Sequence, residues 1–564
     1  MKKLFPLFLV PLLACILSIS AATEGECGFV VAPLSREFQE YVNGKTEVRS
    51  VGNSADGYEY QSGYRPSPLD LSHLRSADYS RYISKGRGIV LPRRYDLRET
   101  GGVTQAKNQE PYGTCWAYSA MGSLESTYLR RTGTPLDLSE NHLAWYSFND
   151  TSGFSGNATG GGFDNFSIAV LARWTGPVLE SALGGSGFPS GPASNYQNRL
   201  HLENAYFLSL QFLPEYPRGT DEMRKQLIYE NGGISVGVVA VTPPENSPYY
   251  DANNYAWYYN GPYPIPNHAV VLVGWDDDFP REKFLERNRP RGNGAWLAKN
   301  SWGQSFGDNG FYWISYEDLG VGDGVVYLAG ETNNFDKNYG YDDLGWCNSV
   351  GTGNSDTAWM ANVFKTGQSL EDLRAVSFYT TSNASSYEIY VYTGLADGMN
   401  PTSGQSAMIA QTGTLDLAGY HTVRLNSPVT LSANTLFSVA VKLKTPEYYY
   451  PIPIETRIQA YSPNAIIERG SSFASIDGNS WVDTATDSDI EGNVCLKAFT
   501  VINKTTPSSP APAQPQNPQT DSQGDQNTQL QSSNGGGGCR TGAGSLIIAV
   551  IIVMWVMRSR RLEI

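Results

Sequence analysis

Residues 108–131 read NQEPYGTCWAYSAMGSLESTYLRR. A break at Pro111, Tyr112 and Gly113 runs straight into a helical pattern headed by Cys115. Ala117, Ala120, Met121, Leu124 and Tyr128 fall at i, i+3, i+4, i+7 and i+11, which is one face of an α-helix. Thr114 stands where a cap is expected, and Gly133 where the helix should stop. A thiol at a helix N-terminus feels the positive end of the helix dipole and ionises more easily. The thiolate is the nucleophile, so this placement makes Cys115 a candidate for covalent chemistry. Gln109 lies six residues upstream, across the turn. Its amide is placed to donate to an oxyanion formed at the sulfur, together with the Cys115 N–H. Taken alone, a cysteine on a core helix reads as structural, because free Cys is among the most buried residue types.

Partner residues overturn that reading. A cysteine nucleophile needs a base, and the base needs an orienting group. His268 lies in PNHAVVLVGWDDD, where a Pro-Asn turn signal runs into an apolar, β-branched strand. Asn300 follows in AWLAKNSWGQSFGDNGFYWISY, at the end of a strand-like run and before a Gly-rich turn. An Asn amide can accept from one imidazole nitrogen and so fix the tautomer. Trp302 is placed to shield that bond from water. The order Cys, His, Asn matches the downstream placement typical of papain and the cathepsins.

From about Leu91 to about Gly330 the chain resembles a papain-like cysteine peptidase. LPRRYDLRETGGVTQAKNQ resembles that family's mature N-terminus, and QEPYGTCWAYS its glutamine–cysteine segment. LSENHLAWYS resembles its LSEQ-type segment, and TGGGFDNFSIAVLARWTG the glycine wall of its substrate cleft. NHAVVLVGW and KNSWGQSFGDNGFYWIS resemble its histidine and asparagine segments. Six matches in order make the resemblance specific. It implies an α+β, two-lobed fold, with a helical lobe and a β-barrel-like lobe. It implies Cys115, His268, Asn300 and Gln109 as catalytic residues. Gly160, Gly161 and Gly162 become substrate-binding, with Trp302 beside them. It implies protein or peptide substrates and no cofactor. There are departures. Tyr112 stands where most relatives carry a disulfide cysteine, and no cysteine lies between Cys115 and Cys347. Packing must therefore hold the cleft loops. The long Tyr-, Pro- and Asn-rich stretch 242–266 leaves subsite preference open.

At 564 residues several domains are expected. Charged residues are 17% of the chain, while 35 Tyr and 58 Gly run high, which favours β-rich, loop-rich exported modules. A net charge of −14 argues against nucleic-acid binding, which wants a basic footprint. No His/Cys/Asp/Glu cluster shows ligand spacing, so no metal is expected. Residues 1–22 read as a secretory signal: Lys2 and Lys3, an apolar run, then Ser20, Ala21 and Ala22. Leu13, Ala14 and Cys15 faintly resemble a lipoprotein cleavage box. Residues 23–90 read as an N-terminal extension or a propeptide, with one short helix in LSREFQEYV (34–42).

In the peptidase region, 91–332, helical patterns at 115–131, 138–148 and 163–174 precede the strand-like runs GGISVGVVAV, HAVVLVGW, AWLAKNS, GFYWISY and GVVYLA. The cleft is expected at the seam between these halves. Residues 333–502 change to short alternating strands between turns, the pattern of an all-β sandwich. They resemble the lectin-like β-domain found after bacterial papain-like peptidases. Contact with carbohydrate or cell wall through this domain is one expectation, and a packing module is the other. Cys347 and Cys495 lie near its ends and are candidates to pair if those ends meet.

Residues 503–538 are a Pro-, Gln- and Ser-rich linker expected to be disordered. The tail 539–564 joins Cys539, a twelve-residue apolar run at 546–557, and Arg558, Arg560 and Arg561. It resembles bacterial Gly- and Cys-containing C-terminal sorting signals. The run is short of the about 20 residues a spanning helix needs, which suits a transient membrane contact before processing. The combined expectation is an exported, surface-associated cysteine endopeptidase of bacterial type. Two alternatives stand beside it: a surface adhesin with a silent peptidase scaffold, and a thiol transpeptidase.

Overall fold

The computed structural model describes residues 28–44 and 63–504, apart from 75–78, 80–81, 84–88, 185–186, 209–218, 242–243, 245–246 and 409. The expected leader 1–22, Cys27, the linker from residue 505 and the tail with Cys539 lie outside the described residues. The α-helices are α1 (Arg36–Val42), α2 (Cys115–Thr132), α3 (Glu140–Phe148), α4 (Asp164–Ala172) and α5 (Gly219–Glu230). The first four stand where helical patterns were expected, and α5 was not anticipated. Among the described residues, no helix is long and apolar enough to cross a membrane.

Helix starts follow local chemistry. The Ser35 hydroxyl accepts from the Phe38 N–H at 3.1 Å, and the Ser139 hydroxyl from the His142 N–H at 3.2 Å. Thr114 is a correction. It occupies the cap position of α2, yet its side chain makes no capping bond, so it caps by position alone. At the other end Gly133 adopts φ 71°, and its N–H bonds the Leu129 carbonyl at 2.7 Å.

The one-face periodicity of α2 understates its burial. Ser123, Glu125, Ser126 and Thr127 are buried as fully as the apolar face. Their hydroxyls donate to backbone carbonyls of packed neighbours: Ser123 to Gly233 at 2.6 Å, Ser126 to Gly102 at 2.7 Å, Thr127 to Tyr327 at 2.6 Å. A helix can bury small hydroxyls at little cost when each finds an acceptor.

The strand-rich half forms a sheet that runs, in order, Leu200–Leu208, Gly324–Glu331, Ile234–Val238, His268–Asp276, Ala295–Lys299 and Phe311–Ser315. These neighbours pair antiparallel. Arg94–Asp96 adds to the histidine strand. The sheet does not stop at the peptidase boundary. Leu200–Leu208 pairs Gly419–Leu431 through Tyr206 and Gly419, Ala205 and Tyr420, Asn204 and His421. From there it continues through Glu371–Thr380 and Leu496–Ile502.

Those three strands form one layer of the expected sandwich. The other layer is a seven-stranded sheet around Ser385–Thr393, Leu436–Lys444 and Thr357–Lys365. Met360, Phe364, Val439 and Val441 from one layer meet Val376, Phe378, Val423 and Leu496 from the other in one core. This is the alternation expected of half-buried strands. A second core crosses the boundary, where Trp346, Tyr379, Tyr420 and Tyr461 join Trp116, Leu124, Phe166 and Leu200.

Cys347 and Cys495 do not pair. Both are free and buried. Each bonds through its N–H to the strand Ile452–Thr456, from opposite sides. A strand between them sets them about two spacings of ~4.8 Å apart, beyond disulfide reach. With Tyr112 in place of a cysteine, aromatic contacts hold the cleft loop. Tyr112 packs on Phe188 at 5.2 Å, and Phe188 on Trp145 at 5.7 Å.

Candidate active site

Cys115 is the first residue of α2, His268 the first of its strand, and Asn300 follows the strand Ala295–Lys299 directly. Each sits where a regular element begins or ends, so rigid backbone fixes its position. The backbone N–H groups of Trp116 and Ala269 face the Cys115 thiol, which brings the helix start and the histidine strand together at the sulfur.

His268 Nε2 lies 2.8 Å from Asn300 Oδ1. The same oxygen accepts from the Ser301 N–H at 2.8 Å, and that fixes the amide, because a backbone N–H needs an acceptor there. The atom facing the imidazole is therefore the carbonyl oxygen, and Nε2 carries the proton. Nδ1 is left as the basic nitrogen and has no hydrogen-bond partner among the described residues. Trp302 stacks on the imidazole at 4.7 Å and 27°, with 4% of its surface exposed. It stands behind the histidine as a shield.

Gln109 is tied to the same loop. Its N–H bonds the Ser301 carbonyl at 2.9 Å, its Oε1 accepts from the Ser301 hydroxyl at 2.5 Å, and its Nε2 donates to the Tyr112 carbonyl at 2.8 Å. A buried charge cluster that sequence patterns do not reveal holds the extended stretch leading to it. Lys107 Nζ bonds Glu125 and Glu140, both at 2.8 Å, and Glu125 also accepts from Thr104 at 2.5 Å. The cluster joins residues 104–109 to α2 and α3.

The glycine run 160–162 forms one wall. Cβ atoms there would collide: at Gly162 with the Trp116 and Phe166 rings at 2.6 and 2.8 Å, at Gly161 with the Gly63 carbonyl oxygen at 2.6 Å. The colliding oxygen belongs to the N-terminal extension, which lies across the cleft. Gly162 donates to the Gly63 carbonyl at 2.8 Å and accepts from the Arg65 N–H at 2.9 Å, while Tyr64 donates to the Asn267 carbonyl at 3.0 Å. Gly63 turns its N–H toward the thiol, and its own carbonyl is the one bonded to Gly162.

The rest of the extension is anchored elsewhere. Val30–Val31 pairs with Val350 and Gly351. Phe38, Leu69, Leu71 and Leu74 enter the shared core. His73 stacks on Tyr448 at 4.0 Å.

Under this cover Cys115 is fully buried and His268 is 1% exposed. Burial pushes the thiol up to about 12. It lowers the imidazole to about 4, against a smaller raising effect of the Asn300 bond. Both groups are neutral in this state. The other described histidines serve packing: His142 lies against Tyr146, and His201 stacks on Trp174 at 3.7 Å. No group of His, Cys, Asp or Glu among the described residues could hold a metal.

Residues 91–328 match the family described as Papain family cysteine protease, and 338–500 match Lectin like domain. The chain is 29% identical to Viral cathepsin of Heliothis zea nuclear polyhedrosis virus, across 43% of this chain and 58% of that protein. It is 31% identical to Testin-2 of Rattus norvegicus, across 48% of this chain and 74% of that protein. It thus spans somewhat under three-fifths of the first of these relatives and about three-quarters of the second.

Among solved structures it is similar to the cysteine protease and lectin-like domains of Cwp84, a surface layer associated protein of Clostridium difficile. The TM-score is 0.67 at 24% identity, over 84% of this chain and 99% of that one. A Cwp84 form with its cysteine replaced by alanine, after propeptide cleavage, gives 0.62 at 26%, over 73% and 99%. The order of elements, the thiol at its helix start and the match to Testin-2 lead to one family: the chain belongs to the papain family of cysteine proteases, its protease domain followed by a lectin-like domain.

Proposed function

We propose that this chain is an exported, surface-associated cysteine endopeptidase, held latent by its own N-terminal segment. One observation carries the reading: residues 63–65 lie over the thiol, bonded to Gly162 on one side and Asn267 on the other. An extended chain bonded this way uses the backbone contacts a peptide substrate would use. It turns the Gly63 N–H toward the sulfur, while the Gly63 carbonyl is bonded to Gly162.

Once the segment leaves, Cys115 attacks the scissile carbonyl as a thiolate beside imidazolium His268. The Cys115 N–H and the Gln109 amide hold the oxyanion. His268 passes its proton to the leaving amine, then takes one from the water that cleaves the thioester. Asn300 keeps Nε2 protonated, so that Nδ1 does this work. Glycines 160–162 give substrate backbone its close approach.

Export is supported by the leader-like residues 1–22. A surface place is supported by the likeness to Cwp84, described as surface layer associated. Glycan or cell-wall contact through the lectin-like domain, and processing of the tail at or near Cys539, belong to the same reading. Intact-mass measurement of the mature protein from its host tests the tail: a chain ending at Ile564 with unmodified Cys539 refutes processing.

The test of activity is digestion of a peptide library by the full chain before and after removal of 23–90 by limited proteolysis. Cleavage that appears on removal and disappears in Cys115→Ala is expected. Labelling of Cys115 by a thiol-directed peptidase inhibitor without cleavage of any peptide would leave a silent scaffold. Products joined to an added amine, rather than hydrolysed, would make the enzyme a transpeptidase.

A further inference from the structure

The side chain that the N-terminal segment inserts into the cleft is Tyr64. Its ring lies over Gly237, where a Cβ would stand 3.1 Å from the ring edge and 2.9 Å from Pro266. Its hydroxyl donates to Asp164 Oδ2 at 3.1 Å. Asp164, the first residue of α4, is 3% exposed, and its other oxygen accepts from Ser235 at 2.8 Å and from Tyr327 at 2.9 Å. Asp323 lies close enough to add its own field at the Tyr64 phenol. A cavity of 120 Å³ opens beside the ring, lined on the enzyme side by Phe163, Asp164, Pro266, Asp323 and Val325.

A buried carboxylate at the end of an apolar slot has a defined chemistry. It recognises a side chain with a flat apolar body and a hydrogen-bond donor at its tip. Ser235 and Tyr327 serve one oxygen, and the Tyr64 hydroxyl serves the other. Burial raises the Asp164 carboxyl from its ordinary range, and the bonds from Ser235, Tyr327 and Tyr64 pull it back toward the charged form. The occupant therefore helps set the state of the pocket.

The backbone bonds of residues 63–65 say which substrate position meets this slot. Gly63 stands at the thiol, and Tyr64 is its neighbour along the Gly162 wall. A substrate that turns a carbonyl rather than an N–H to the sulfur runs along the same wall in the opposite sense to the pro-segment, so it places in the slot the residue that precedes the one carrying the reacting carbonyl. Resting on the endopeptidase reading above, we propose that Asp164 is a specificity-determining residue that selects a tyrosine side chain at this position. The pro-segment residue Tyr64 is then a mimic of the preferred substrate side chain.

Two measurements test this, one without catalysis. In the first, the full chain freed of 23–90 by limited proteolysis is given peptide amides. These differ only in tyrosine or phenylalanine two residues before the cleaved bond. Rates are expressed per thiol alkylated by iodoacetamide, a small reagent that does not fill the slot. Tyrosine is expected to exceed phenylalanine in kcat/KM by about 10- to 100-fold, the range for a hydrogen bond to a charged acceptor. In Asp164→Asn the ratio should fall several-fold, because the carboxylate acceptor is gone. A native ratio near one, or a ratio unchanged in Asp164→Asn, overturns the proposal.

In the second, synthetic peptides of residues 60–72, with Tyr64 or with Phe in its place, bind freed protein carrying Cys115→Ala. Weaker binding of the Phe peptide by a similar factor is expected, and equal binding overturns the proposal even if Asp164→Asn fails to fold. If the freed native chain alkylates yet cleaves nothing, the endopeptidase reading fails. The binding comparison then still decides the pocket.

Discussion

At Cys115 and His268 the same environment that builds the site also keeps both groups neutral. Burial holds the thiol near 12 and the imidazole near 4, so the neutral pair is the stable one. The sign is clear for both groups. A raised thiol ionises only in the alkaline range, and a lowered imidazole gains its proton only in acid, so no neutral pH holds the ion pair. Hydrating the site moves the thiol down and the imidazole up. Alkylation of Cys115 by iodoacetamide in the full chain should therefore rise only at alkaline pH. After removal of 23–90 it should already be fast at neutral pH. Peptide mapping across pH checks this, and superimposable profiles would refute the cover as the cause.

Side-chain substitutions probe the roles directly. Cys115→Ala should abolish hydrolysis, and His268→Ala should nearly do so. Gln109→Ala should lower kcat by roughly 10²–10³, as for one oxyanion donor. Steady-state kinetics on freed enzyme checks the set, with circular dichroism confirming the fold. These three candidates were legible in sequence. Nucleophile, base and oxyanion donor must be of a few residue types, and each stood at a recognisable element boundary. Asp164, Tyr64 and the Lys107, Glu125 and Glu140 cluster were not legible. Each acts through partners distant in sequence, and Tyr64 lies 100 positions from the carboxylate it meets.

At the scale of elements, two glycines separate stability from function. At Gly133 a Cβ meets nothing within 4 Å, so the cost of a side chain there is the backbone's, at φ 71°. Gly133→Ala should cost about 1–2 kcal/mol and lower Tm, with activity per folded molecule kept. At Gly162 the backbone is unstrained, but a Cβ strikes two packed rings at 2.6 and 2.8 Å. Gly162→Ala should move the cleft wall and lower kcat/KM in the freed enzyme, with relief of latency in the full chain. Denaturation curves and kinetics on both variants separate the two effects. Four of the helices were legible from sequence pattern. The helix α5 was missed because GTDEMRKQLIYE carries few apolar residues.

At the scale of the molecule, protease and sandwich share a sheet and a core. Leu200–Leu208 has Gly324–Glu331 on one side and Gly419–Leu431 on the other. A chain ending at residue 332 would leave that strand with an open edge. It would also uncover Phe207 and Leu200 where Trp346, Tyr379 and Tyr420 now pack. Such a chain is expected to be largely insoluble, because an exposed apolar edge strand templates aggregation. The chain ending at 504 should stay soluble and unfold in one transition. Soluble yield and calorimetry check both. A well-folded, soluble 91–332 would show the two domains to be independent.

The linear chain carried the proposed chemistry, because nucleophile, base, orienting amide and oxyanion donor are side-chain types in a set order. It also settled the run of helices followed by strands, since periodicity is a local property. Folding in three dimensions settled the rest. It joined two apparent domains through one strand, kept Cys347 from Cys495 by setting a strand between them, and buried the polar face of α2. It also laid the N-terminal segment over the thiol. Each of these depends on which distant backbones meet, and residues far apart in sequence carry no local mark of that.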